Sequence, residues 1–183
     1  MHSGGSGGAA LSLELSVGEM GKSIMVFGRK KKLEQQKAEA ALLRAFLRQK
    51  ITECHNAVKL TAPITKFIQE SAQEDARLGT ASAEETQQRL NEGLEREIGE
   101  RGLLLATSAL ELIIAHYVTK SEIIANIERL ASEFSRDAIN NATKAKKAWR
   151  EQKREEFAKA AIVNDHAAQH LNSLLAELFA ASH

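Results

Sequence analysis

Ser16-Val17-Gly18-Glu19-Met20-Gly21-Lys22-Ser23 closes on Gly-Lys-Ser, the ending of a loop whose backbone amides cradle phosphates while its lysine reaches the terminal ones. The pattern is flawed at its first position, where Ser16 stands for glycine. Directly after it come Ile24-Met25-Val26-Phe27-Gly28 and a run of cations, with no later strand to carry a magnesium-holding aspartate. A chance match in a leader segment is therefore expected. His166 and His170 stand four apart, on one helix face as a two-histidine metal half-site requires. Asp165 is turned away from that face, and no His-Glu-x-x-His pattern supplies a base. Cys54 and His55 are neighbours in sequence and point in different directions on a helix, which separates any nucleophile from its base. The chain is read as a non-enzyme, with no catalytic residue, no cofactor and no metal.

Binding chemistry is more visible. Trp149 stands among Lys146, Lys147, Arg150, Lys153 and Arg154. A core position at a helix crossing is expected for it; the alternative is an interfacial anchor or cation–π partner on a basic surface. Ile24-Met25-Val26-Phe27 runs straight into Arg29-Lys30-Lys31-Lys32. Such a segment places apolar side chains at a bilayer boundary while its lysines meet anionic headgroups, at ~1 kcal/mol per basic residue. The candidate membrane-binding residues are thus Phe27, Arg29, Lys30, Lys31 and Lys32 at one end, and Lys144, Lys146, Lys147, Arg150, Lys153 and Arg154 at the other.

Helices must position these groups. Neither glycine nor proline occurs from Leu103 to His183, and Pro63 is the only proline in 183 residues. Glycine costs roughly 1 kcal/mol and proline roughly 3 kcal/mol inside a helix, so this final stretch is expected to run as very long, uninterrupted helix. Residues 1–32 read as a Gly/Ser-rich leader with an apolar-basic segment, in which Leu11–Val17 alternates like a short strand. Residues 33–183 read as the helical bundle domain, beginning near Lys32. Leu42, Leu43, Phe46, Leu47, Ile51, Cys54 and Val58 lie at three-four spacing, and Ile64, Phe67 and Ile68 are expected to continue the stripe through a kink at Pro63. Gly79 ends that helix, and Ser82-Ala83-Glu84-Glu85 matches a capping box for the next. Gly93, Gly99 and Gly102 either weaken the second helix or permit close backbone approach. Thr119-Lys120-Ser121-Glu122 is a second capping-box match, compatible with a turn or with continuation.

Composition narrows the class. Formal charge is +1, from 25 basic and 24 acidic residues, so no global field recruits nucleic acid and no nucleic-acid partner is expected. Charge is instead segregated. Lys144 to Lys159 carries seven basic residues against three acidic ones, whereas Glu70 to Arg101 carries nine carboxylates against four arginines. Cys54 is the single cysteine, which excludes an intramolecular disulfide or a cysteine-built zinc site and suits a reducing compartment. No run approaches the ~18 apolar residues of a membrane span, and the start of the chain does not read as a signal peptide. A cytoplasmic location, peripheral to a membrane, is the expectation.

Ala148-Trp149-Arg150-Glu151-Gln152-Lys153-Arg154-Glu155-Glu156-Phe157, followed by Ile162, His166, His170, Leu174 and Leu178, resembles the last helix of BAR domains, particularly those of sorting nexins. Tyr117-Val118-Thr119-Lys120-Ser121-Glu122 resembles a stretch of that family's middle helix. The resemblance implies an antiparallel dimer of three-helix coiled coils whose curved basic face senses or shapes anionic membranes. The span from Tyr117 to Trp149 is shorter than the family's middle-to-last hairpin. A second resemblance is to ESCRT-III, whose members begin with a short apolar-basic stretch like Val26-Phe27-Gly28-Arg29-Lys30-Lys31, although the acidic carboxyl-terminal tail of that family is missing.

The resulting expectation is an all-α fold, an elongated antiparallel helical bundle or coiled coil of three to four long helices. It self-associates, as a dimer, through Leu103, Leu110, Ile113, Ile114, Tyr117, Ile124, Ile127, Leu130, Phe134, Leu171, Leu174 and Leu178, and binds an anionic membrane. The alternative is an assembly subunit whose apolar faces at Leu103–Val118 and Leu171–Phe179 dock a partner helix without lipid.

Overall fold

The computed structural model describes residues 10–181, with side chains from Lys30 onward. Four helices and no strand make up the described residues: α1 Ala10–Leu78, α2 Ala83–His116, α3 Lys120–Lys147 and α4 Glu151–Ala180. The fold is the all-α helical bundle that the periodicity predicts. The backbone of Leu11–Val17 is helical, not a strand, and the first helix starts at Ala10 rather than near Lys32. A lone strand would leave its ladder hydrogen bonds unmade, whereas a helix satisfies them within itself.

α1 runs through Pro63 as a single element of 69 residues. Proline removes one backbone donor there. Nearby hydroxyls add local bonds, Thr61 Oγ1 donating to Val58 O at 3.4 Å and Thr65 Oγ1 to Thr61 O at 3.2 Å. Ile64 and Phe67, expected to face inward, are exposed, and the buried edge of this part of the helix is Thr65 and Ala72. Gly79, at φ +66°, ends α1, a conformation glycine adopts without the clash a Cβ would cause.

Three contacts show that α2 returns antiparallel to α1: Arg44 Nη2 donates to Tyr117 O at 2.5 Å, Thr65 Oγ1 to Glu100 Oε1 at 2.8 Å, and Gln69 Nε2 to Glu97 Oε2 at 3.1 Å. α4 also lies antiparallel to α1, with Lys50 Nζ 2.7 Å from Glu177 Oε2 and Cys54 Sγ 3.4 Å from His170 Nε2. α2 meets α4 at Gly102, where a Cβ would lie 2.6 Å from His166 Cβ and 3.0 Å from Val163 O. Glycine here permits two backbones to touch, as Gly93 permits Gln69 to approach α2.

α3 and α4 pair most extensively. Ala131, Ala138 and Ala145 on α3 recur every seven residues and are buried, as are Ala161, Ala168 and Leu175 on α4. A seven-residue repeat of small residues brings two helices together along one seam. All four helices share a core, in which Leu43, Leu47 and Ile51 of α1 meet Leu110 and Ile113, Ile123 and Ile127, and Leu171 and Leu174.

Leu103–His183 is therefore not one rod. It breaks at Tyr117–Thr119 and again at Ala148–Arg150 without a glycine or proline at either place. A continuous helix would leave both the α3 and α4 apolar seams in water; folding back buries each on the other, a gain that scales with area. The first break is also held by its caps. Glu122 N donates to Thr119 Oγ1 at 3.3 Å and Thr119 N donates back to Glu122 Oε2 at 3.0 Å, so the second capping-box match marks a turn.

The residues expected to join two copies are placed differently by this packing. Leu110, Ile113, Ile127, Leu171 and Leu174 are buried within one chain, where they form its own core. Leu103, Ile114, Tyr117, Ile124, Leu130, Phe134 and Leu178 are half-buried at its margin. Deeply buried side chains are already committed to the fold and have no surface left for a second copy.

Candidate anionic-surface interface at the α3–α4 tip

Trp149 is not in the core. It stands at the turn between α3 and α4 with 82% of its surface exposed, beyond the last buried alanine of α3, Ala145, and before the first of α4, Ala161. Arg150 stacks its guanidinium carbon 4.6 Å from the Trp149 ring centroid, a cation–π arrangement that presents ring and charge together. Arg150 is also the residue before α4, and its side chain makes no cap bond.

Cations surround this ring. Lys144, Lys146, Lys147, Lys153 and Arg154 are all exposed. Lys144 Nζ lies 5.8 Å from the Phe157 ring centroid, and Lys153 pairs with Glu156 at 2.6 Å. Among the described residues no ion pair engages Lys146, Lys147 or Arg154, whose charge is left for an outside partner. Three basic residues also fill the last turn of α3, where the helix dipole favours positive charge. The tip thus combines a large amphipathic ring with free ammonium and guanidinium groups, an arrangement suited to an anionic surface with an apolar layer beneath it.

The second basic group lies elsewhere. Lys30, Lys31 and Lys32 are exposed on a part of α1 in which every residue from Lys30 to Glu39 faces solvent. The side chains of Phe27 and Arg29 lie outside the described residues. Lys120 stands beside Glu39 in a surface groove at that end of the bundle, whereas Lys147 is at the far end of the 28-residue α3, ~40 Å of helix away. The two basic groups occupy opposite ends of the molecule rather than one continuous face.

Other sequence candidates are scattered. The backbone of Ser16–Ser23 lies within α1, where its amides belong to the helix and form no phosphate-cradling loop. Among the described residues no group of three or more His, Cys, Asp or Glu side chains could hold a metal ion. His166 is exposed beside Gly102, while His170 is half-buried against Cys54. Cys54 therefore finds its histidine on α4, 116 positions away, and not in His55. Burial pushes the Cys54 thiol up and the His170 imidazole down from their ordinary values, so both are neutral near pH 7 and the thiol is not activated. No local sequence signal marks this pair, because it depends on which helices become neighbours.

Two apolar grooves flank the core. One, between α2 and α3, is lined by Leu105, Leu112, Tyr117, Leu130 and Phe134, with Leu112 62% exposed. The other, beside the carboxyl-terminal end of α4, is lined by Leu42, Phe46, Ile124 and Phe179. Among the described residues no helix is long and apolar enough to cross a membrane. No protein family, no curated protein and no solved structure matches this chain.

Proposed function

We propose that this chain is a non-enzymatic helical scaffold that docks on anionic lipid surfaces, peripherally, through the tip joining α3 to α4. The observation that carries the reading is Trp149, exposed at a hairpin turn and ringed by exposed cations, of which only Lys153 makes a described ion pair. An exposed tryptophan costs solvation free energy unless something covers it. A headgroup layer accepts both the ring and the surrounding charge. The resemblance of Ala148–Phe157 to BAR domains of sorting nexins supports the same class of partner, and Lys30–Lys32 form a second, separate basic contact in this reading.

Trp149 is the only tryptophan, so its emission reports on the tip alone. Wild-type protein should sediment with phosphatidylcholine vesicles containing phosphatidylserine, shift its emission to the blue, and release as salt rises. The K146E/K147E/R150E variant should bind roughly 100-fold more weakly, from about 1 kcal/mol for each basic residue removed. Equal sedimentation with pure phosphatidylcholine, or an unchanged spectrum, overturns the reading.

An alternative, a protein-interaction subunit without lipid, is favoured by the groove between α2 and α3, where Leu112 projects into solvent. Leu112→Glu should then abolish partner capture and leave vesicle binding untouched.

A further inference from the structure

The two hairpins end side by side with opposite charge. α2 and α4 both run antiparallel to α1 and meet at Gly102, so the turns at 79–82 and 148–150 lie at the same end of the bundle. From the crossing of Gly102 with Val163, α2 extends about 30 Å to Ser82 and α4 about 20 Å to Arg150, at ~1.5 Å per residue. The α1–α2 arm thus overhangs the α3–α4 arm by on the order of 10 Å.

The longer arm is acidic. On the face of α2 opposite its buried Thr86 and Gly93, Glu84, Glu92 and Glu95 stand exposed with Gln87, Gln88 and Asn91 around one shallow hollow. Glu92 pairs with Arg96 at 3.0 Å, and no described ion pair engages Glu84 or Glu95. The shorter arm is the basic tip with Trp149. The one ion pair between the two arms among the described residues, Lys50 with Glu177, lies far from these turns, so near them each arm presents its charge outward.

We propose that two copies of this chain join end to end about a two-fold axis, the acidic arm of each lying on the basic tip of the other. The arrangement goes beyond lipid docking and needs no lipid. A two-fold axis makes both contacts at once from one surface, and the stepped end lets each longer arm lie over its partner's shorter one. Charge complementarity selects this occupant. Of the side-by-side seam expected from sequence, Leu110, Ile113, Ile127, Leu171 and Leu174 are buried within each chain and offer no surface to a second copy. Exposed ion pairs over a small contact make a weak, fast-exchanging and salt-sensitive complex.

Sedimentation velocity without lipid tests it. Wild type should show a concentration-dependent monomer–dimer equilibrium in about 50 mM salt that reverts to monomer in about 500 mM. K146E/K147E/R150E and E84K/E92K/E95K should each be monomeric, since each then has two arms of one sign, and an equimolar mixture of the two should dimerise. Far-ultraviolet circular dichroism establishes that both variants, altered only at exposed positions, keep the helical fold. A wild type that stays monomeric in low salt, single variants that dimerise like wild type, or a mixture that does not associate overturns the proposal. Vesicle binding by the same wild type is read separately, so a failure here leaves the lipid reading standing and the converse also holds.

Discussion

Burial keeps both Cys54 and His170 neutral where they meet across the α1–α4 seam. The imidazole's proton affinity is reduced first by burial and further by Lys50, against a partly compensating pull from Glu177. In the unfolded chain the same histidine titrates near its ordinary 6.5. Between that value and its lower folded one the unfolded state binds more protons, so stability falls as pH drops below about 6.5. The thiol acts at the other extreme, because its raised value makes the unfolded state lose its proton first above about pH 9. The seam should therefore be firmest between these limits. Urea midpoints from about pH 8 down to about pH 5.5 should decline more steeply for wild type than for His170→Gln; identical slopes would show that the histidine is not desolvated in the seam. This pairing is invisible to local patterning, since its two halves lie on helices whose neighbourhood is set by the whole bundle.

Helix ends obey rules that can be read from single residues only when a cap is present. Ser82 and Thr119 carry reciprocal bonds with Glu85 and Glu122, and both carboxyls lie below their ordinary range chiefly through the backbone amides they accept from. Thr119 also has a helper: Arg44 donates to the last carbonyl before the turn, Tyr117 O. Thr119→Ala should cost about 1 kcal/mol and lower the thermal midpoint by roughly 3 °C, whereas Thr119→Ser should leave it nearly unchanged. If alanine is silent, the turn is held by Arg44 and the seam alone. The break before Arg150 has no side-chain cap and could not be read this way. Its signal was the seven-residue spacing of Ala131, Ala138 and Ala145 against Ala161 and Ala168, a pattern of small residues easily taken for plain helix propensity.

At the scale of the whole molecule, α1 sets the length. Sixty-nine residues of helix span about 100 Å, well beyond the other three helices. Solution scattering of the monomer, in salt high enough to suppress pairing, should give a maximum dimension near ~100 Å; a value near ~60 Å would show that the residues before Ala40 do not extend as α1. The linear pattern of residues settled that the fold is all-α, where α1 ends at Gly79, where α2 begins, and which segments carry opposite charge, because propensity, caps and charge are properties of neighbours along the chain. It misplaced Trp149, whose exposure depends on whether an apolar wall faces it. Tertiary packing decided the rest: two breaks without a breaker, interior leucines and isoleucines that close one chain, and opposed charges brought to the same end. Each of these results from which apolar stripe is buried against which, and that choice minimises exposed area over all four helices together.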